Sequence, residues 1–246
     1  MKSTAERSAG HSRRRRRRAA VLAGLLGTLV GAAAIAGCAS DKGSSLHPTS
    51  APLRGMVYSQ RRTPVLDIKV TWVRDGAPVQ SVLSDIQGRY LFADVPLGRI
   101  TLQFEKPGYE PLSWSFDFNA PTQVVYVRMS AVTELLDAAA DSLHDRDWAA
   151  ASGYLARVRK LEPDNRLAVF LESQLLDLQG QPAQAAATLE TLSSGPDPSF
   201  AVELALADLY EKKLARPDKA LEHLKRALAI QDDPNLQSRV DALEKR

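Results

Sequence analysis

The stretch SDIQGRYLFADVPLGRITLQFEKPGYEP, residues 84–111, decides how the middle of this chain folds. Ile100, Leu102 and Phe104 alternate with Thr101 and Gln103, a period of two that sends successive side chains to opposite faces of a sheet. Gly88 frees a tight turn ahead of Tyr90 and Phe92, and Pro96 with Gly98 makes a second turn. Tyr90 and Phe92 then fill one face. The stretch reads as short strands joined by tight turns.

The same texture runs through residues 53–130. LRGMVYS, VLDIKVTWV, PVQSVLS, RYLFADV, RITLQF, LSWSFDF and QVVYVRM are punctuated by Asp75-Gly76, Gln87-Gly88, Leu97-Gly98 and Pro107-Gly108. Seven short runs at this spacing predict a small seven-stranded antiparallel β-sandwich. Trp72, Tyr90, Phe92 and Trp114 are assigned to its core or to a sheet face. Asp67, Asp75, Asp85 and Asp94 could be imagined around a calcium ion, but acids at turns and strand ends are common without one.

Ser84, Asp85, Gly88, Tyr90, Phe92, Val95, Pro96, Gly98, Leu102, Gly108 and Tyr109 together resemble the carboxypeptidase regulatory-like domain, a prealbumin-like sandwich. Ile100 stands where that family has an aromatic residue. The resemblance implies a domain without catalytic residues of its own.

From residue 131 the apolar period changes to 3.6 and alanine becomes abundant, so helices are predicted to the end. Ala151, Ala185 and Ala220 recur at steps of 34 and 35, and Leu155, Leu189 and Leu224 recur at the same steps. Small residues let paired helices approach, and the leucines form the seam between them. Gly180 suits a left-handed helix end, and Pro163 and Pro234 mark stops or starts. The period resembles tetratricopeptide repeats over residues 132–233, closed by a helix near residues 234–245. One extra residue is expected to lengthen the third turn, near residues 214–217. The resemblance implies a superhelix whose concave face is lined by the first helix of each pair. That face would carry Leu136, Ala140, Phe170, Gln174, Asp177, Leu204, Asp208 and Glu211, apolar at its start and acidic at its end. Relatives that clamp the carboxylate tail of chaperones use Lys, Asn and Arg at these places, so that partner class is not expected.

Ahead of the sandwich, residues 13–18 are six arginines, and residues 19–40 contain no charge. A basic head, an apolar middle and a small-residue end predict an export signal over residues 1–37. Ile35-Ala36-Gly37-Cys38 resembles a bacterial lipobox, which implies a diacylglyceryl group and an N-acyl chain on Cys38, the only cysteine. The thiolate is the nucleophile that takes the lipid. An uncleaved membrane helix is the alternative, since about 20 apolar residues span a bilayer, but Gly24, Gly27, Gly31 and Gly37 weaken it. Ser12-Arg13-Arg14 leaves both the general and the twin-arginine export routes open. Residues 38–52, rich in Ser, Gly and Pro, are expected to be a flexible tether. Ala39 and Ser40 resemble the signal that sends a lipoprotein to the outer membrane, facing the periplasm.

Loss of the leader leaves 24 basic against 28 acidic residues, about −4, so the basic pI near 9.0 belongs to the leader. Nucleic-acid binding loses its electrostatic support. His144 and His223 sit in different repeats, each beside an acid, and both are expected to be solvated. There is no G-x-S-x-G, phosphate loop or H-E-x-x-H. No enzyme, no cofactor beyond the lipid and no metal site are predicted. The expectation is a lipid-anchored envelope scaffold or adaptor that holds a protein partner in its helical groove. The alternative is a sandwich that recognises cell-wall glycan or another polymer; exposed aromatics on one sheet would favour it, and Trp72 and Trp114 are the candidates.

Overall fold

The computed structural model describes residues 49–245. The expected export signal, Cys38 and tether residues 38–48 lie outside them. β1 (Ser50–Ser59) runs between β4 (Arg89–Pro96) and β7 (Val124–Met129) in one sheet. In the other, β2 (Lys69–Arg74) lies between β3 (Ala77–Leu83) and β5 (Gly98–Glu105), with β6 (Leu112–Phe118) beyond β5. The inward side chains interlock in one core, where Leu53, Phe92, Leu102, Phe104 and Phe118 are wholly buried. Each such side chain contributes roughly 1.5–3 kcal/mol by leaving water.

The sandwich departs from the all-antiparallel expectation at one pair. β7 runs parallel to β1, with Arg54 opposite Val124 and Ser59 opposite Met129. Antiparallel pairing follows from hairpins, whereas β7 arrives from β6 by crossing to the other sheet. It therefore meets β1 with no hairpin to set its direction.

The turn residues of residues 84–89 hold the sandwich edges together. Ser84 is buried; its hydroxyl donates to Val65 O at 2.7 Å and accepts from Ile68 N at 2.9 Å. The Asp85 carboxylate accepts from the backbone N–H groups of Gln87 and Arg89 and from Arg89 Nε, all at 2.9 Å. These bonds, the Arg89 N–H foremost, hold its carboxyl below the usual range. Asp67 and Asp75 occupy left-handed turn positions, with φ of 56° and 51°.

Tyr90 lies flat over Gly55, where a Cβ would come within 2.2 Å of the ring. Its ring meets Phe92 and Phe104 edge-on, with centroids 6.2 and 5.9 Å apart. Its hydroxyl is buried with no hydrogen-bond partner, and burial pushes its pKa up. An unsatisfied buried hydroxyl costs about 1–3 kcal/mol. Tyr90→Phe is therefore expected to raise stability by about 1 kcal/mol in urea unfolding, and a loss of similar size would show a partner for the hydroxyl.

Seven helices follow: α1 (Val132–His144), α2 (Trp148–Leu161), α3 (Arg166–Leu178), α4 (Pro182–Ser193), α5 (Phe200–Asp208), α6 (Pro217–Ile230) and α7 (Pro234–Glu244). α1, α3, α5 and α7 begin at residues 132, 166, 200 and 234, a constant step of 34. This register makes three helix pairs and a closing helix, a tetratricopeptide-type stack. Ala151, Ala185 and Ala220 are fully buried at the pair crossings, and Leu155, Leu189 and Leu224 are buried beside them. The turns within pairs, residues 145–147, 179–181 and 214–216, have equal length, and each turns on a left-handed middle residue: Arg146, Gly180 or Ala215.

The extra residue of the third repeat is not in its turn. α5 continues as a π-helical turn, Leu209–Lys213, which takes up the residue inside the helix. The connection before α7 is correspondingly brief, which restores the register. Among the described residues no helix is long and apolar enough to cross a membrane.

Strands and helices belong to one compact unit. Only Ser130 and Ala131 separate β7 from α1, and a polar seam fixes the junction. Val132 N donates to Gly108 O at 2.8 Å, and Glu110 N to Ser130 O at 2.9 Å. Arg157 of α2 grips Glu110 through two nitrogens, at 2.8 and 2.5 Å, and holds the Glu110 carboxyl below its usual range. Glu134 caps α1 from within, accepting from Ala131 N at 3.1 Å, and also accepts from Arg61 N at 3.0 Å across the junction.

Candidate functional site

Two adjoining depressions lie along the first helices of the pairs. One, about 430 Å³, lies between α1 and α3 and is lined by Ala140, Leu143, His144, Leu171 and Leu178. The other, about 280 Å³, opens between α3 and the α5 π-turn over Phe170, Ser173, Leu189, Ala205 and Leu209. Gln174 and Asp177 line both, so the two depressions adjoin across these side chains and together form the candidate groove.

Ala140, Phe170, Gln174, Asp177 and Asp208 are thus brought together as the repeat spacing predicts. The other three expected groove residues are not. Leu136 is buried in the core between α1 and α3. Leu204 is half-buried and packs against the core of the second and third pairs. Glu211 is held by Arg239 of α7 at 2.5 Å.

The expected acidic end is a set of ion pairs. Asp208 accepts from Lys212 at 2.8 Å and from Arg239 at 2.7 Å. Burial alone would raise the Asp208 carboxyl, but those two partners outweigh it and hold the pKa below the usual range. Lys212 and Lys213 line the depression beside Asp177 and Asp208, so charges balance there. Paired in this way, the acids leave little net negative charge at that end of the groove. Sequence spacing singles out neither Lys212 nor Lys213; both reach the groove from the π-helical turn, Leu209–Lys213. Arg239 was beyond reach of local spacing, because it comes from the next helix pair position.

Asp177 is the unusual member. Its Oδ1 is shielded from solvent and receives no hydrogen bond, since Lys213 Nζ stands 3.6 Å away, beyond bonding reach. Closed to water, that oxygen is equally closed to a docked donor, so what the groove offers a bound segment is its apolar floor and the Gln174 amide.

A second polar cluster lies inside the repeats. His223 is 5% exposed and Glu203 1%, with His223 Nδ1 2.7 Å from Glu203 Oε2. His223 is therefore a core residue and not the solvated one expected, whereas His144 is exposed as expected. Ser193 Oγ donates to Glu203 Oε1 at 2.5 Å, and Tyr210 of the π-turn stacks on the imidazole at 5.6 Å. On its far side Tyr210 donates to Glu190, which also accepts from Lys219 at 3.0 Å. The Tyr210 bond, then the Lys219 bond, hold the Glu190 carboxyl low. Serine and histidine both engage the carboxylate and not each other, so the three do not form a nucleophile with its base. The cluster joins α4, α5 and α6 and has the geometry of a structural tie.

The two tryptophans do not form a platform. Trp72 is buried in the sandwich core and Trp114 is 39% exposed at the rim of β6, packed on Phe116 with centroids 5.2 Å apart.

No family model matches the chain, and no curated protein matches it. Among solved structures, the crystal structure of MamA protein is similar over 46% of this chain and 62% of its own, with 16% identity and a TM-score of 0.41. A tetratricopeptide repeat protein from Parabacteroides merdae ATCC 43184 is similar over 46% of this chain and 45% of its own, at 21% identity and a TM-score of 0.40. The Streptococcal ancillary pilin is similar over 34% of this chain and 30% of its own, at 19% identity and a TM-score of 0.29. The matches span less than two thirds of each of these proteins.

Proposed function

We propose that the chain is a non-catalytic adaptor of the cell envelope, anchored by lipid on Cys38 at the outer membrane and facing the periplasm. Its helical groove holds a segment of a protein partner. The observation that carries the groove reading is the apolar floor of Phe170, Ala205 and Leu209, open between α3 and the π-turn, with the Gln174 amide beside it. A partner segment with one apolar anchor and a nearby hydrogen-bonding group fits both features. Balanced charge around Lys212, Lys213 and Asp208 makes salt a weak lever on such binding. The glycan alternative loses its two tryptophans to burial and separation. The resemblance of residues 84–109 to carboxypeptidase regulatory-like domains supports a structural part for the sandwich, since those residues close turns.

Phe170→Ala removes most of the apolar floor, and a lost aromatic anchor costs about 2 kcal/mol or more of binding, a factor near 30. Crosslinking in intact envelopes, followed by identification of the captured protein, should lose its main adduct in this variant while Phe200→Leu, which alters no groove residue, retains it. Equal capture by both moves the binding site off the groove. For the anchor, Cys38→Ser should leave an unprocessed precursor, because no thiolate is present to take the lipid. Normal cleavage of that variant, with continued membrane fractionation, contradicts lipidation.

A further inference from the structure

The two outer faces of the sandwich differ in kind. On the four-stranded sheet the outward positions carry Thr71, Thr101, Gln103 and Ser115, with the Thr101 and Ser115 hydroxyls bonded at 2.7 Å, and Leu83, opposite Lys69, is exposed at the β3 edge. Its charges come in cross-strand pairs, Lys69 with Glu105 at 3.5 Å and Arg99 with Asp117 at 3.4 Å. Such a face is content in water.

The three-stranded sheet shows the opposite pattern. Across β4, β1 and β7 one outward row reads Leu91, Arg54, Val124 and the next reads Arg89, Met56, Tyr126. No carboxylate stands in either row. Leu91 is 51% and Tyr126 62% exposed, and a shallow basin of about 660 Å³ lies over them, bordered by Leu83. Arg89 shares Asp85 at the sheet edge. Arg54, and Arg128 one row further along β7, make no ion pair among the described residues. Exposed apolar side chains gathered on one flat face, with arginines between them and the basin's one acid, Asp85, already paired with Arg89, call for a surface that is apolar below and anionic above.

We propose that this face lies on the headgroup layer of an anionic phospholipid bilayer. Tyr126, Leu91 and Val124 would enter the boundary between headgroups and acyl chains, and Arg54 and Arg128 would pair with lipid phosphates. The placement rests on the lipid anchor proposed above. β1, the central strand of this sheet, begins at Ser50, and eleven residues separate it from Cys38. Even fully extended, those residues reach only about 40 Å. The anchor therefore keeps this sheet beside the membrane, and a lipid group plus a basic apolar surface supplies the two signals that stable attachment takes. The helical groove, built on the other half of the chain, is then presented by a sandwich lying on the bilayer.

The test uses the mature lipidated chain in phosphatidylcholine vesicles with and without phosphatidylglycerol. With Cys38 blocked by lipid, a single thiol introduced by Leu91→Cys, or by Ser113→Cys on the opposite sheet, carries a fluorophore, and nitroxide-bearing lipids serve as quenchers. Quenching at position 91 is expected to be several-fold stronger than at 113 in the anionic vesicles, and to fade at 1 M salt, where the Debye length falls to about 3 Å. Adding Arg54→Glu with Arg128→Glu should reduce it to the level of position 113 while the protein still floats with the vesicles. Equal quenching at both positions in floating protein, or quenching that survives the double charge reversal, overturns the placement alone and leaves the face to a protein partner. Protein that does not float at all overturns the anchor and the placement with it.

Discussion

Gly88→Ala is expected to cost the sandwich about 3 kcal/mol, among the larger effects a single methyl group can produce. Gly88 has φ +74°, where an L side chain is strained by about 1–2 kcal/mol. Its surroundings add a steric cost. An added Cβ would stand 2.4 Å from Val57 O and 3.2 Å from Val65 N, both backbone atoms that cannot swing aside. The same glycine accepts the Val57 N–H through its carbonyl at 2.8 Å, so relief by moving the turn breaks a β1 hydrogen bond. Gly76 is the matched control, with φ +80° and nothing within 4 Å of an added Cβ. Gly76→Ala should cost only the backbone strain, about 1 kcal/mol. Urea unfolding followed by tryptophan fluorescence, in a Trp148→Phe background that silences α2, reports on this half through Trp72 and Trp114. Equal losses for the two variants would show that conformation alone, and not the close approach to β1, keeps Gly88.

That contrast bears on how much of this molecule could be read from its residues. The turn at residues 84–89 was legible because its parts are local: Asp85 bonds to Gln87 and Arg89, and Gly88 turns the chain within the same few residues. What Gly88 approaches, the carbonyl of Val57, is some thirty residues away and leaves no local mark. The parallel pairing of β7 with β1 was hidden for the same reason. Alternation in QVVYVRM tells which side chains face inward but not which strand lies alongside or in which direction. Helix pairing was legible because a repeat carries its long-range contacts in its period, as Ala151, Ala185 and Ala220 show.

Groove residues fell between these cases. Register put Phe170, Gln174, Asp177 and Asp208 on the faces of α3 and α5 that border the depression. It could not place the cations that neutralise the acids. The π-turn at Leu209–Lys213 shifts Lys212 and Lys213 from their ordinary helical positions, and sequence spacing assigns the same extra residue equally well to a turn. Glu203 and His223 were within reach. Ala220, His223, Leu224 and Ala227 fall at helical spacing on one face of α6, and Val202, Glu203, Leu206 and Ala207 do so on α5. Both polar residues lie in apolar stripes, a pattern that marks a buried pair when two such stripes face each other.

Removing one member of that pair should be the most damaging change in the helical half. Glu203→Ala is expected to cost about 3–5 kcal/mol, the usual penalty for breaking a buried pair and leaving its partner behind. The carboxylate holds His223 Nδ1 at 2.7 Å and Ser193 Oγ at 2.5 Å, so one substitution orphans the buried imidazole on α6 and frees the half-buried hydroxyl on α4. Water cannot replace it easily, because His223 is 5% and Glu203 1% exposed. A cavity the size of the lost side chain adds to the cost. The penalty should come from unpaired polarity more than from shape, and a double variant separates the two. Glu203→Leu with His223→Phe removes donor and acceptor at once, refills the space, and keeps a ring for Tyr210 to stack on, as it now stacks on the imidazole at 5.6 Å. Exchanging a buried pair for well-packed apolar residues is often neutral or stabilising. The double variant should therefore recover most of the loss in guanidinium unfolding followed by the helical signal. If it stays as unstable as Glu203→Ala, the pair serves the junction of α4, α5 and α6 through its particular shape. If Glu203→Ala itself costs under about 1 kcal/mol, the site relaxes far enough to hydrate His223, and the tie is weaker than its burial implies.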